Sequence, residues 1–283
     1  MPRLHVLHRP ETPFHVVLRL GSQKGKKVSA AFGWDWTTDR ITPAQWLGGR
    51  IYPMECDLSP CGEWMYYNAL NAKWDDPVTH GSYGVLSRAP WFKAEALWPF
   101  GDRWASGKLI RARSATLSPE EFASDASSTA TSYKPALPAA FGTRYTLEKM
   151  LYPERLLRDG WTLRETRDEP GGAFHDGERV TNTIRTFSLT TRGQARLERH
   201  NHVEPLGPRP FTYDTHALVD AVGTRHERPS WEWAQVDRER DRLVWAEEGQ
   251  LWAGPLNSRG LYGEPRRLYD FRGLRFQRRQ APY

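Results

Sequence analysis

The sharpest chemical arrangement in the chain is Arg199-His200-Asn201-His202-Val203-Glu204. Alternate residues of a β-strand share a face, so on a strand His200, His202 and Glu204 project the same way. Two imidazoles and a carboxylate suit Zn, Fe or Mn with coordination positions left for water. That reading makes the protein a metal-dependent enzyme, with His216 or His226 as further ligands. Pro205 and Gly207 follow at once and signal the end of the strand, which takes Glu204 out of line. The competing expectation is a solvated strand end. Other arrangements exclude themselves. Cys56 and Cys61 are the only two cysteines, whereas a zinc site needs two more ligands and a redox pair has C-x-x-C spacing beside a βαβ unit. Gly21 to Lys27 has three residues between its glycines where a phosphate loop needs four, and no hydroxyl follows its lysines. No G-x-S-x-G, G-x-G-x-x-G, H-E-x-x-H or EF-hand pattern occurs.

Binding chemistry concentrates elsewhere. Between Trp74 and Trp104 the chain places Trp74, His80, Tyr83, Arg88, Trp91, Lys93, Arg103 and Trp104, separated by Pro and Gly. Exposed Trp and Arg anchor interfaces, and their planes stack on rings and bases. The leading expectation is a non-catalytic module that binds a protein or small ligand through this aromatic, Arg-rich face, with no cofactor. Behind it stands single-stranded nucleic-acid binding through Arg and Trp, whose affinity would fall steeply with salt.

The elements that must position these residues read as short strands. Ser59-Pro60-Cys61-Gly62 has the preferences of a type I turn, with Cys56 on the strand before it. The following Glu63 to Leu70 is apolar on both alternating faces, as in a strand covered on both sides. Trp231 to Leu256 reads as strand, polar turn, strand Leu243–Ala246, Glu248-Gly249 turn and strand, most of a propeller blade. Further strands are expected over His15–Leu20, Lys27–Trp36, Arg40–Leu47, Arg50–Met54, Gly84–Arg88, Lys108–Arg113, Arg179–Leu189, Gln194–Val203, His216–Val222, Arg266–Phe271 and Phe276–Gln280. Gly21 to Lys26 reads as a flexible basic loop. Ser114 to Ala140 is rich in Ser, Thr, Ala and Pro and reads as part of an insertion near 114–158. Within that insertion one helix is expected to start at Ser118-Pro119 and a second to cover Thr146 to Arg158, kinked or ended by Pro153.

Composition bounds the rest. The 283 residues hold 13 Trp, 11 Tyr and 11 Phe, enough bulk for a large core without staples. The net charge of +6 is spread along the chain, and only eight of its 40 basic residues are Lys. No stretch approaches the 18 apolar residues of a membrane span, and MPRLHVLHRPETPFHVVLRLG lacks a signal-peptide core. With two cysteines and no membrane partner, a cytoplasmic location is expected.

The run DLSPCGEWMYY resembles the LSPDGxxLxY signature of TolB-like and WD40-like β-propeller repeats, with Cys61 where those repeats carry Asp. Asp237 lies 180 residues after Asp57, four steps of about 45 residues, the usual blade period. The stretches GGRIY, CDLSP-G, SRAPW, ALWP-GD-W, LVWA--G-LW and APY also resemble an uncharacterised family of bacterial propeller-like proteins, over roughly the first 110 and last 55 residues. That resemblance implies no activity. The His200 strand is loosely similar to the H-x-H and later Glu of cupins, but here a single residue precedes Glu204. The expectation is one all-β, propeller-like domain over residues 1–283, of about five blades (four to six), whose last segment, Leu268–Tyr283, pairs with N-terminal strands.

Overall fold

The computed structural model describes residues 1–99, 146–175, 178–204 and 212–283. The expected strand at Lys108–Arg113, the helix starting at Ser118 and the Ser/Thr-rich run to Ala140 lie outside them. Among the described residues the chain is all-β, with four antiparallel blades, the low end of the expected range. The first blade has β1 (Arg3–Leu7), β2 (Phe14–Gln23), β3 (Lys26–Asp35) and β4 (Arg40–Gly48) in sequential order. The second has β5 (Arg50–Ile51), β7 (Trp64–Leu70), β8 (Ser82–Arg88) and β9 (Ala94–Pro99), with β6 (Asp57–Leu58) on β7. The third runs β10 (Thr162–His175), β11 (Glu178–Thr190), β12 (Arg196–Val203), β13 (Thr212–Val219), β14 (Arg225–Arg228). The fourth runs β15 (Trp231–Asp237), β16 (Arg242–Glu247), β17 (Gln250–Pro255), β18 (Arg266–Asp270). In chain order a helix, α1 (Thr146–Arg158), comes after β9 and before β10.

The chain divides into two compact units: Val6–Arg155 with Leu274–Tyr283, here the amino-terminal unit, and Met1–His5 with Leu156–Gly273, the carboxy-terminal unit. In the amino-terminal unit, Val16, Leu18, Ala31, Leu58, Met65, Tyr67 and Val85 form one apolar cluster. Residues Met65–Ala69 of β7 are buried on both faces, as its unbroken apolar pattern requires. The one amide there, Asn68, accepts from Tyr66 Oη (2.6 Å) and donates to Glu55 Oε2 (2.6 Å), so its burial leaves no group unmatched. In the carboxy-terminal unit, Leu243–Ala246 of β16 are fully enclosed, and Trp231 stacks on Trp245 at 5.0 Å.

Several expectations are corrected. Gly21 to Lys26 is not a loop: β2 and β3 run on to a two-residue turn, with positive φ at both Lys24 and Gly25, the geometry whose twist suits a hairpin. Glu248-Gly249 forms the same turn, as expected. β5 stops at Ile51 because Pro53 opens a 3₁₀ turn over Pro53–Glu55, so Cys56 follows that turn rather than sitting on a strand. α1 passes through Pro153, since burial of Tyr152 and Arg155 outweighs one lost backbone bond. The Arg155 guanidinium donates to the carbonyls of Pro53 and Cys56. Residues 274–283 form no strand, and side chains tie them to β2 and β4 instead. Gln23 Nε2 donates to Leu274 O (3.2 Å), and Gln45 Nε2 to Arg279 O (3.1 Å). The 180-residue interval is also not four blade steps. Asp57 lies in the second blade and Asp237 in the fourth, and the long hairpin of β10 and β11 helps fill the gap.

Candidate functional site

At one end of the second blade, register places Trp64, the first residue of β7, opposite Arg88, the last of β8. The Arg88 guanidinium therefore lies over the Trp64 ring, 5.4 Å from its centroid. It also lies over the Tyr283 ring, 5.2 Å from its centroid. Tyr283 is fixed from three directions. Its Oη accepts the Arg88 backbone N–H (3.1 Å) and donates to Lys93 O (3.1 Å), while Lys93 Nζ donates to Tyr283 O. Burial raises the Tyr283 phenol above its ordinary value, so it remains a neutral donor at physiological pH. The chain turns tightly after Arg88, with Ala89 N–H donating to Glu63 O and Trp91 N–H to Arg88 O (both 2.8 Å). That turn sets Trp91 beside the stack, and Gln45 Oε1 receives Phe92 N–H at 2.7 Å. Trp64, Arg88, Trp91 and Tyr283, with Phe14 and Cys61, line a groove of about 500 Å³.

The residues expected between Trp74 and Trp104 do not form one surface. Trp74 and His80 sit on the loop joining β7 to β8, beyond the Leu70–Ser82 end of the pair. Arg88, Trp91 and Lys93 lie at the Trp64–Arg88 end, about 20 Å away along a seven-residue strand. Trp74 is half exposed and lies flat on Gly81, where a Cβ would approach its ring to 2.1 Å. His80, also exposed, has φ 47° at the base of the same loop. Tyr83 is only 6% exposed and belongs to the apolar cluster, its phenol raised by burial, so it packs rather than presents itself. Arg103 and Trp104 lie outside the described residues. Sequence reasoning missed Trp64, Phe14 and Tyr283. The cross-strand offset from Arg88 points to Trp64, but no local pattern brings in Tyr283, 195 residues away.

His200 and His202 do share a face of β12, as alternation requires, but their nitrogens are engaged apart. Thr186 Oγ1 lies 3.0 Å from His200 Nδ1, and Arg225 donates to His200 Nε2 at 2.7 Å. That fixes the neutral tautomer with hydrogen on Nδ1. Burial first, and the Arg225 charge second, hold His200 below the usual imidazole value. His202 Nε2 bonds Thr215 Oγ1 (3.0 Å), and its ring stacks on Tyr213 at 4.6 Å. Glu204 follows the end of β12 and accepts the Tyr213 hydroxyl. His216 lies on the enclosed side, bonded to Arg199 Nε (3.2 Å) and 3.1 Å from Trp231 O. Among the described residues no three His, Cys, Asp or Glu side chains converge to hold a metal ion.

The two cysteines are free. Gly62 N–H donates to Ser59 O (2.9 Å), closing the expected turn, and Cys61 lies half exposed at its tip. Cys56 is enclosed, and burial pushes its thiol up to about 12.

No family model, curated protein or solved structure matches this chain.

Among the described residues, no helix is long and apolar enough to cross a membrane.

Proposed function

We propose that the protein is a non-catalytic ligand-binding or interaction module whose working surface is the groove of Trp64, Arg88, Trp91 and Tyr283. The observation that carries this reading is the guanidinium lying over two aromatic rings, with a third aromatic side chain beside an open groove. Stacking orients Arg88 through the face of its plane, and with Nε already on Glu95 Oε1 (3.2 Å) a partner would bond its two terminal nitrogens. Trp, Tyr and Arg are the side chains that concentrate binding energy when a partner covers them. A groove that is already shaped loses little freedom on binding. The ionisable groups that line it, Arg88, Glu63, Cys61 and the neutral Tyr283 phenol, include no histidine to serve a nucleophile as base. Membership among TolB-like or WD40-like repeat proteins of bacteria, and a cytoplasmic location, complete the proposal. The four blades support the first and the two free cysteines the second.

The test is a ligand-observed NMR screen of aromatic and Arg-binding fragments against the full chain and Trp91→Ala. The reading expects a subset of fragments whose saturation transfer disappears in the variant. A screen in which every hit survives the substitution would refute it.

A further inference from the structure

The third blade carries a second concavity, chemically unlike the groove. Register aligns Glu165, Thr186, His200 and Thr215 across β10 to β13. The next rows hold Ser188 with Glu198, and then Arg196 with Arg225 at the end of β14. All of these side chains except Ser188, with Arg164 and Arg167 of β10, line a cavity of about 880 Å³, within the size of small-molecule sites. Four guanidiniums face three carboxylates there, and His200 is neutral.

Two of the three carboxylates are already matched. Glu198, its side chain 7% exposed, accepts from Arg196 Nε (2.8 Å) and from Arg225 Nη1, while Glu227 accepts from Arg225 Nε. They act as anchors that hold Arg196 and Arg225 in place. Arg164 differs. Its Nε donates to the Ser188 hydroxyl (2.7 Å), and among the described residues it forms no ion pair. Among the described residues Arg167 has a surface pair with Glu169, both side chains well exposed, so water screens it. The cavity thus has oriented cations at its centre, weakly opposed cations on β10, and the Thr186 and Thr215 hydroxyls between.

We propose that this cavity binds a small organic polyanion bearing phosphate or carboxylate groups, with Arg164 and Arg225 as its principal contacts. A forked guanidinium matches both groups in bidentate geometry, and a cavity of this size lined by polar side chains fits more than a single inorganic ion. This site is independent of the aromatic groove.

The experiment is calorimetric titration of the full chain with inorganic pyrophosphate and, separately, with citrate. Saturable binding of at least one is expected, weakening as salt is raised and falling about tenfold or more in Arg164→Gln. Preference for pyrophosphate assigns the site to phosphate esters, and preference for citrate to carboxylates. Arg225→Gln is a second variant, but it unburdens Glu198 of a partner and can disturb folding, whereas Arg164 is exposed. Trp91→Ala is the control and leaves the titration unchanged. The proposal is overturned by no saturable heat with either anion at millimolar concentration. An equal loss in Arg3→Gln overturns it too, because the attraction would then be diffuse charge.

Discussion

Arg88 and Arg225 end strands in different blades, and their surroundings give them opposite characters. Arg88 lies over the rings of Trp64 and Tyr283, its side chain 56% exposed, with Glu95 (3.2 Å) as its ionic partner among the described residues. Arg225 has Nε on Glu227, Nη1 on Glu198 and Nη2 on His200. A ring orients a guanidinium through its face and leaves its N–H edge open, whereas carboxylates orient it through that edge. The first arrangement suits a flat or mixed apolar partner and depends little on salt. The second is a fixed array of charge, responsive to anions and screened by salt. Side-chain chemistry alone therefore does not assign an arginine its role; what covers its face and edge does.

The comparison breaks most visibly at the roots of the two surfaces. Arg199, on the enclosed side of β12, donates to His216 and to Ala234 O (2.6 Å), lies 3.7 Å from Asp214, and covers the Trp161 ring at 4.4 Å. Arg199→Ala is expected to cost about 3–5 kcal/mol, because it leaves Asp214 buried beside no cation. Arg88→Ala should cost about 1 kcal/mol or less. Urea unfolding measures both. Equal losses would make the rim arginine structural and remove the contrast.

A smaller effect separates the units by pH. Glu232 of β15 accepts the Leu4 N–H at 2.7 Å, and burial raises its carboxyl to about 7 from an ordinary 4.5. The folded state therefore binds an extra proton between those values. Its stability falls as pH rises from about 4.5 to 7 and is level above, by about 3 kcal/mol. Glu232→Gln should flatten that slope. In the amino-terminal unit, Asp35 shows the reverse: Thr37 and Thr38 hydroxyls hold it at about 2, charged throughout this range. A slope that persists in Glu232→Gln would assign the pH response to another group.

Much of this was legible in the residues. The unbroken apolar run of β7, the turn at Ser59 to Gly62 and the Glu248-Gly249 hairpin follow from local rules, and the structure repeats them. So does the shared face of His200 and His202. What local rules do not reach is the length of a strand between two ends of a cluster. Trp74 and Arg88 are near in sequence yet sit at opposite ends of a hairpin, while Tyr283 and Arg88 touch across most of the chain. Periodicity also cannot tell whether an imidazole nitrogen faces a metal or a threonine. The hydroxyls of Thr186 and Thr215 come from neighbouring strands whose register only the folded sheet fixes.

The smallest expected effect tests the groove from within. Cys61 lines it and is half exposed, while Cys56 is enclosed with its thiol raised to about 12. Only the thiolate attacks an alkylating reagent, and burial suppresses both thiolate and access. A maleimide should therefore label Cys61 in the folded protein and reach Cys56 only when the chain opens. Any fragment seated against Trp64 and Trp91 shades the Ser59 to Gly62 turn, so it should slow Cys61 labelling about two- to threefold and leave the unfolding-limited rate at Cys56 alone. Pyrophosphate in the third-blade cavity should change neither rate. Protection of Cys61 by the anion would mean that the two surfaces are coupled, and the distinction between a stacked and an ion-paired arginine would no longer describe two separate sites.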